Sequence, residues 1–185
     1  MAWVSSVTLT GCSFMFGKDR HSPQTVNCAM VGFGFDVHRL EPGRPLILGG
    51  VDIPSPHGTV AHSDGDVVFH ALVDALLGAL ALGDIGEHFP DTDPRWKGAA
   101  STQFVEHAVQ LVRSAECRIV NVDCTLVLES PKILPYKQQM RENIARLCGL
   151  PMERVAVKAT TSERMGYVGR KEGVHAFVIC EVQSV

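Results

Sequence analysis

Asp36 and His38 stand two positions apart in Gly34-Phe35-Asp36-Val37-His38, so on an extended strand both side chains leave the same face. A carboxylate and an imidazole are among the ligands that zinc and similar divalent ions take. His70, in a later helical run, offers a third ligand and leaves one tetrahedral position open, the arrangement of a catalytic rather than a structural site. Close by in sequence lie Ala61-His62-Ser63-Asp64-Gly65-Asp66 and the acidic run Asp84 to Asp93. Such a neighbourhood is built to hold a cation and, through it, an anion. Further on, Lys158-Ala159-Thr160-Thr161-Ser162-Glu163 ends a strand in consecutive hydroxyls and a carboxylate. Hydroxyls there can donate to phosphate oxygens, and Glu163 suits a harder ion such as Mg2+.

The supporting residues follow from helical spacing. Asp66, His70 and Asp74 are four apart and share one stripe, so Asp74 is expected to accept from the free ring nitrogen of His70 and fix its tautomer. The competing reading is a polar stripe facing a subunit interface. His62 precedes the expected helix start, where free backbone amides would receive a phosphate. The run from Asp84 to Asp93 is too acidic to bind phosphate and fits sugar hydroxyls or a metal shell instead.

These residues must be positioned by alternating strands and helices. Met30–His38 and Leu46–Leu48 read as strands, separated by the turn Glu41-Pro42-Gly43-Arg44-Pro45. Ser63, with Asp66 three positions on, resembles a capping box opening a long helix to about Leu82, apolar on nearly every side. Gly83 stops it, and the segment to Gly98 reads as a loop. Helices are expected over Ser101–Ala115 and Pro135–Cys148, and strands over Cys117–Leu128, Val155–Thr160 and Glu172–Val182. The class is α/β or α+β, a single mixed sheet backed by helices.

The chain has 185 residues, enough for one domain that needs no disulfide or structural metal to hold its core. A net charge of -3 gives no basic surface for nucleic acid or anionic lipid. An anionic substrate must therefore be met by metals, backbone amides or single cations. The six cysteines are scattered without a C-x-x-C pair, fitting reduced, largely buried thiols. No apolar run reaches the ~18–20 residues of a membrane span. Residues 1–29 are expected to be a weakly structured extension, with Met30 as a functional start and a cytoplasmic location; a plastid location would follow only if the extension were a transit-peptide remnant.

Taken together, six segments resemble one family, 2-C-methyl-D-erythritol 2,4-cyclodiphosphate synthase. They are Gly34–His38, Ala61–Asp66, Gly83–Gly86, Phe89–Pro94, Pro131–Lys132 and Lys158–Thr161, in order from about Met30 to the C-terminus. The resemblance implies a compact subunit of a homotrimer, with active sites between neighbours. It implies cyclisation of 4-diphosphocytidyl-2-C-methyl-D-erythritol 2-phosphate with release of CMP. Asp36, His38 and His70 would bind Zn2+ or another divalent ion, and Glu163 would hold Mg2+ or Mn2+ on the diphosphate. His62 and Thr161 would steady the transition state, with Ser63, Thr160 and Ser162 beside them.

By the same resemblance Asp84, Ile85, Gly86, Phe89, Pro90, Asp91, Thr92 and Asp93 would meet the erythritol part. Leu128, Glu129, Ser130, Pro131, Lys132, Ile133 and Leu134 would form a cytidine pocket. Tyr167 and Arg170 would line the trimer centre, near a cavity for isoprenoid diphosphates. Five positions depart from the family pattern: Ser162 stands where threonine is common, Tyr167 where phenylalanine is frequent, and Leu128-Glu129-Ser130 where smaller residues are expected. Two other readings use the same residues. One is a metal-dependent phosphohydrolase; the other is a metal-stabilised trimer that binds its ligands without turnover.

Overall fold

The computed structural model describes residues 28–185, and all but the last two positions of the expected extension lie outside that range. Its strands are β1 (Ala29–Pro42), β2 (Ile47–Leu48), β3 (Val51–Asp52), β4 (His57–Val60), β5 (Cys117–Val127), β6 (Val155–Thr160) and β7 (Gly173–Ser184). Its helices are α1 (Val67–Ala79), α2 (Ile85–His88), α3 (Thr102–Ser114), α4 (Lys137–Cys148) and α5 (Gly166–Gly169). Five strands form one mixed sheet in the order β4-β1-β7-β5-β6, with only the β5–β6 pair parallel. A small β2–β3 hairpin stands apart. The expected class, a mixed sheet backed by helices, is what the chain adopts.

Alternation along β1 sorts the two faces of the sheet. Met30, Gly32, Gly34, Asp36 and His38 turn toward the helices, and Val31, Phe33, Phe35 and Val37 turn away. Gly32 and Gly34 let α1 come very close: a Cβ on Gly32 would lie 1.8 Å from the Ala75 carbonyl oxygen, and one on Gly34 1.9 Å from that of Ala71. Small residues on both sides of this contact bring His70, the neighbour of Ala71, down onto the strand carrying Asp36 and His38.

α1 begins later than expected. Its N-cap is Asp66, not Ser63, and the Asp66 carboxylate accepts from the Val68 and Phe69 amides at 3.0 and 3.2 Å and from Gly49 and Gly50 at 2.9 and 2.6 Å. That buried cap ties the helix to the turn between β2 and β3. The helix also ends earlier, at Ala79, because Ala81 turns left-handed (φ 54°) before Gly83 does. β1 runs on to Pro42 because β4, in a stretch that reads as loop, pairs with Arg39–Pro42.

One core fills the space between sheet and helices, with Leu72, Leu76, Phe69, Leu126 and Ile144 fully buried. Cys117, Cys124, Cys148 and Cys180 are buried free thiols, as expected, and Cys28 is exposed. Among the described residues the opposite face of the sheet carries only the one-turn helix α5, at His175. Val31 and Phe33 there are 69% and 60% exposed, beside Phe35, Val37 and Ile179. No helix of the described residues is long and apolar enough to cross a membrane.

Candidate active site

Asp36, His38 and His70 converge as the D-x-H spacing and the helical histidine require. Asp36 Oδ2 lies 3.1 Å from His38 Nε2 and 3.0 Å from His70 Nδ1, and the two nitrogens are 3.0 Å apart. These three atoms form a triangle that hydrogen bonds alone cannot satisfy. The carboxylate carries no hydrogen and each ring nitrogen at most one, so at least one of the three sides has no hydrogen to bridge it. A cation bound to all three atoms satisfies every side, and the donor set is one that zinc takes. Burial pushes the Asp36 carboxyl up, but the hydrogen bond from His70 and the charges of the two imidazoles outweigh it and hold the carboxyl below its ordinary value. Burial, against the pull of Asp36, lowers His38 toward the neutral ring that a ligand needs.

The outer nitrogen of His70 corrects one expectation. Nε2 lies 3.0 Å from the Ser63 hydroxyl and 2.9 Å from that of Ser101, and Asp74 does not touch it. Asp74 instead accepts from the Ile85 amide at 2.8 Å and anchors α2 to α1. Asp64 in turn accepts from the Ser101 amide at 2.9 Å and from its hydroxyl. Residue spacing alone gives neither Ser101 nor Asp64 this role. Ser101 reads in the sequence only as a helix start, and its distance from His70 along the chain hides the contact.

The helix-start phosphate site is also corrected. The first amides of α1 already donate to Asp66, so no free N–H cluster remains beside His62. His62 lines a cavity of about 500 Å³ together with Ser63, His70, Ile85, Gly86, Phe89, Pro90, Asp91 and Thr92. Trp96 and Phe104 complete its wall; both are apolar contributions that polar motif spacing does not reveal. Asp84 and Asp93 are not on that wall. Asp84 caps α2 through the Glu87 amide, and Asp93 takes the Arg95 amide and guanidinium.

A second cavity, about 360 Å³, lies at the far edge of the sheet. It is lined by Leu128, Glu129, Pro131, Lys132, Ile133, Leu134, Thr160 and Thr161, with Lys137 and Ala159 added by the structure. Ser130 is outside the lining and joins Pro131 through a cis peptide bond. The Glu129 carboxylate accepts from the Ser162 and Arg164 amides, both at 3.0 Å, and these bonds, the Arg164 amide foremost, hold it below its ordinary value. Its size is therefore accommodated by a loop-closing role. Ser162 spends its hydroxyl on that same loop, within reach of Glu129 and the Met165 carbonyl. Glu163 and Arg164 both turn left-handed (φ 53° and 62°), an uncommon state for side-chain-bearing residues, and the Thr161 hydroxyl lies 3.3 Å from Glu163 Oε1.

The two cavities do not meet within one chain. Val37 pairs with His175, His175 with Val127, and Val127 with Thr160, so three inter-strand steps separate the Asp36–His38–His70 triangle from the hydroxyl run, about 14 Å. Tyr167 stacks on His175 over the open face of the sheet, with ring centroids 5.1 Å apart. Arg170 is held by Glu172 through two bonds of 2.9 and 2.8 Å.

The sequence profile of the YgbB family matches residues 29–183. A curated relative from Syntrophobacter fumaroxidans, named 2-C-methyl-D-erythritol 2,4-cyclodiphosphate synthase, is 54% identical over 154 residues, covering 83% of this chain and 97% of that protein. A solved synthase of the same name in a CDP-bound form is 44% identical, with a TM-score of 0.76, over 81% of this chain and 97% of the other. The bifunctional IspDF of Campylobacter jejuni aligns with a TM-score of 0.83 at 43% identity, over 86% of this chain, and the match spans only 43% of that longer protein. A profile running through the whole described sheet, and relatives alike over nearly their full length, leave one assignment: the chain belongs to the YgbB family.

Proposed function

We propose that the chain cyclises 4-diphosphocytidyl-2-C-methyl-D-erythritol 2-phosphate to 2-C-methyl-D-erythritol 2,4-cyclodiphosphate and CMP, in the non-mevalonate route to isoprenoids, with residues 30–185 as the catalytic domain. The observation that carries this reading is the Asp36–His38–His70 triangle, whose His70 also lines the cavity of His62 and Asp91. An oxygen of the 2-phosphate bonds to the β-phosphorus, and the bond from that phosphorus to the CMP oxygen breaks, its electron pair leaving with CMP. The nucleophile is already an anion, so no side chain has to act as a base. The difficulty is bringing phosphates together: unit charges 4 Å apart repel by about 4 kcal/mol at an effective dielectric near 20.

Divalent ions, when bound, supply the positive charge that offsets this repulsion and steadies the departing phosphate. Asp36, His38 and His70 would hold Zn2+, and Glu163 would hold Mg2+ or Mn2+. His62 donates a ring N–H to phosphate oxygen, and Thr161 donates its hydroxyl. Asp91, Thr92 and the Gly86 backbone meet the erythritol hydroxyls. The second cavity takes cytidine through the backbone from Pro131 to Leu134, with Lys132 and Lys137 facing its phosphates.

Because the two cavities lie about 14 Å apart across the sheet, the site is completed by another copy of the chain. A homotrimer packed on the open sheet face supplies that copy and covers Val31, Phe33, Phe35 and Val37. Its centre would receive an isoprenoid diphosphate beside Tyr167, where a diphosphate must compete with Glu172 for Arg170. Four buried thiols accord with the reducing cytoplasm.

Incubation with the cytidyl substrate, followed by phosphorus NMR, tests the reading. CMP and a cyclic diphosphate are expected in equal amounts. Inorganic phosphate in their place means a phosphohydrolase, and no turnover with ligands bound means a silent binding protein.

A further inference from the structure

On the outer side of the Phe89 wall, away from the Asp36 triangle, α2 and α3 bring two imidazoles together. His88 and His107 have ring centroids 5.6 Å apart, with their planes inclined by 59°. A nitrogen-bound ion sits about 3.2 Å from the centre of its imidazole, so two such rings around one tetrahedral ion have centres roughly 5 Å apart. The ligand pair His38 and His70 shows nearly that spacing, 5.1 Å.

The tautomer of His88 is fixed as a ligand requires. Its Nε2 lies 2.9 Å from the Leu82 carbonyl oxygen, which can only accept, so Nε2 carries the hydrogen and Nδ1 of the neutral ring keeps its lone pair. Metal-bound histidines almost always donate the second ring N–H to a carboxylate, a water or, as here, a backbone carbonyl. His107 is exposed and makes no side-chain hydrogen bond among the described residues, so one of its nitrogens is available as well.

We propose that His88 and His107 form a second metal site, for a borderline divalent ion of the zinc, nickel or copper type, with water filling the remaining positions. Two imidazoles suit these ions and not Mg2+ or Ca2+. The ion would strap α2 to α3 across Phe89, whose ring is 5.2 Å from His107 and 6.2 Å from His88. Phe89 lines the substrate cavity and packs 4.5 Å from Phe104 on its inner side. Occupancy of the outer site therefore stiffens one wall of the inner one.

Zinc titrated into the full chain under equilibrium dialysis, with excess Mg2+, tests the site. Two equivalents are expected for the parent. His107→Ala and His88→Ala should each lose one and keep the other, and a chain carrying both His38→Ala and His70→Ala should keep the outer one. A single equivalent in the parent, or a second that survives both outer substitutions, overturns the proposal. A copper signal showing nitrogen coupling from two imidazoles, read on a chain with the inner site already zinc-filled, checks the ligands without any variant; coupling from one ring or none also overturns it. Amide hydrogen exchange in residues 84–89 should slow when the second equivalent binds to the parent and stay unchanged in His107→Ala. Exchange unchanged in the parent removes the strap.

Discussion

The Ser101 hydroxyl is fully buried and lies 2.9 Å from His70 Nε2, on the side of the ring away from the triangle. When a metal occupies the triangle, the work of this hydroxyl is to receive the Nε2 hydrogen, so that Nδ1 faces the ion with a lone pair. Ser101→Ala should therefore leave the three ligands in place yet weaken zinc binding by about 10–100-fold, the usual cost of losing such a partner. Chelator competition measures this, and unchanged affinity would mean that Ser63 alone orients the ring. His62 calls for the opposite split. His62→Ala should keep zinc affinity while turnover falls by about 100-fold, as when one donor to a developing charge is removed. CMP release at the parent rate would take His62 out of the chemistry. Ligand types and short spacings made Asp36, His38 and His70 legible in the sequence. Ser101 and Asp64 were not, because a buried hydroxyl that contacts a histidine 31 residues away leaves no local pattern.

At the level of elements, the placement of α1 decides whether the triangle exists. The Ala71 and Ala75 backbone rests directly on Gly34 and Gly32, so Gly34→Ala has to push the helix off the strand. Overpacking of this kind costs about 1–3 kcal/mol, and it moves His70 away from Asp36, so zinc affinity should fall together with the unfolding midpoint. Parent-like zinc affinity in a folded Gly34→Ala chain would show that the close approach is not what seats His70. The strand itself reads from its alternation, and its glycines read as small residues. That they are contact points for a helix becomes visible only when the helix is laid on them.

Asp66 fixes the other end of α1. Asp66→Ala leaves four amides without an acceptor and should cost about 3 kcal/mol or more in urea unfolding. Burial raises the Asp66 carboxyl from 3.8 to about 6, against the pull of the surrounding amides. The native state thus holds the proton more tightly than the unfolded chain does. Its stabilising effect is complete below about 3.8 and is lost as pH rises through about 6, by roughly 3 kcal/mol in all. The stability difference between parent and Asp66→Ala should therefore shrink from pH 4 to pH 7; a difference that grows over this range contradicts the assignment. The sequence shows an acidic helix start here but not the Gly49 and Gly50 amides, since the hairpin lies 16 and 17 residues upstream.

For the whole molecule the decisive feature is the sheet's width. Thr160 and Val37 sit on one row of paired residues with β7 and β5 between them, so no loop movement short of unravelling the sheet brings Thr161 and Glu163 to the triangle of the same chain. On the proposed function a single chain thus carries two half-sites, and a ring of copies would join one chain's first half to the next chain's second. This makes a prediction that mixing can test. A chain with His70→Ala lacks the first half, and one with Thr161→Ala and Glu163→Ala lacks the second. Each alone should be inactive. In rings assembled at random from equal amounts, a site is whole only where an intact first half meets an intact second half, so about a quarter of parent activity should return. No recovery after co-refolding, with mixed rings verified by mass, would mean that each chain completes its own site, and the open apolar face would then need another occupant.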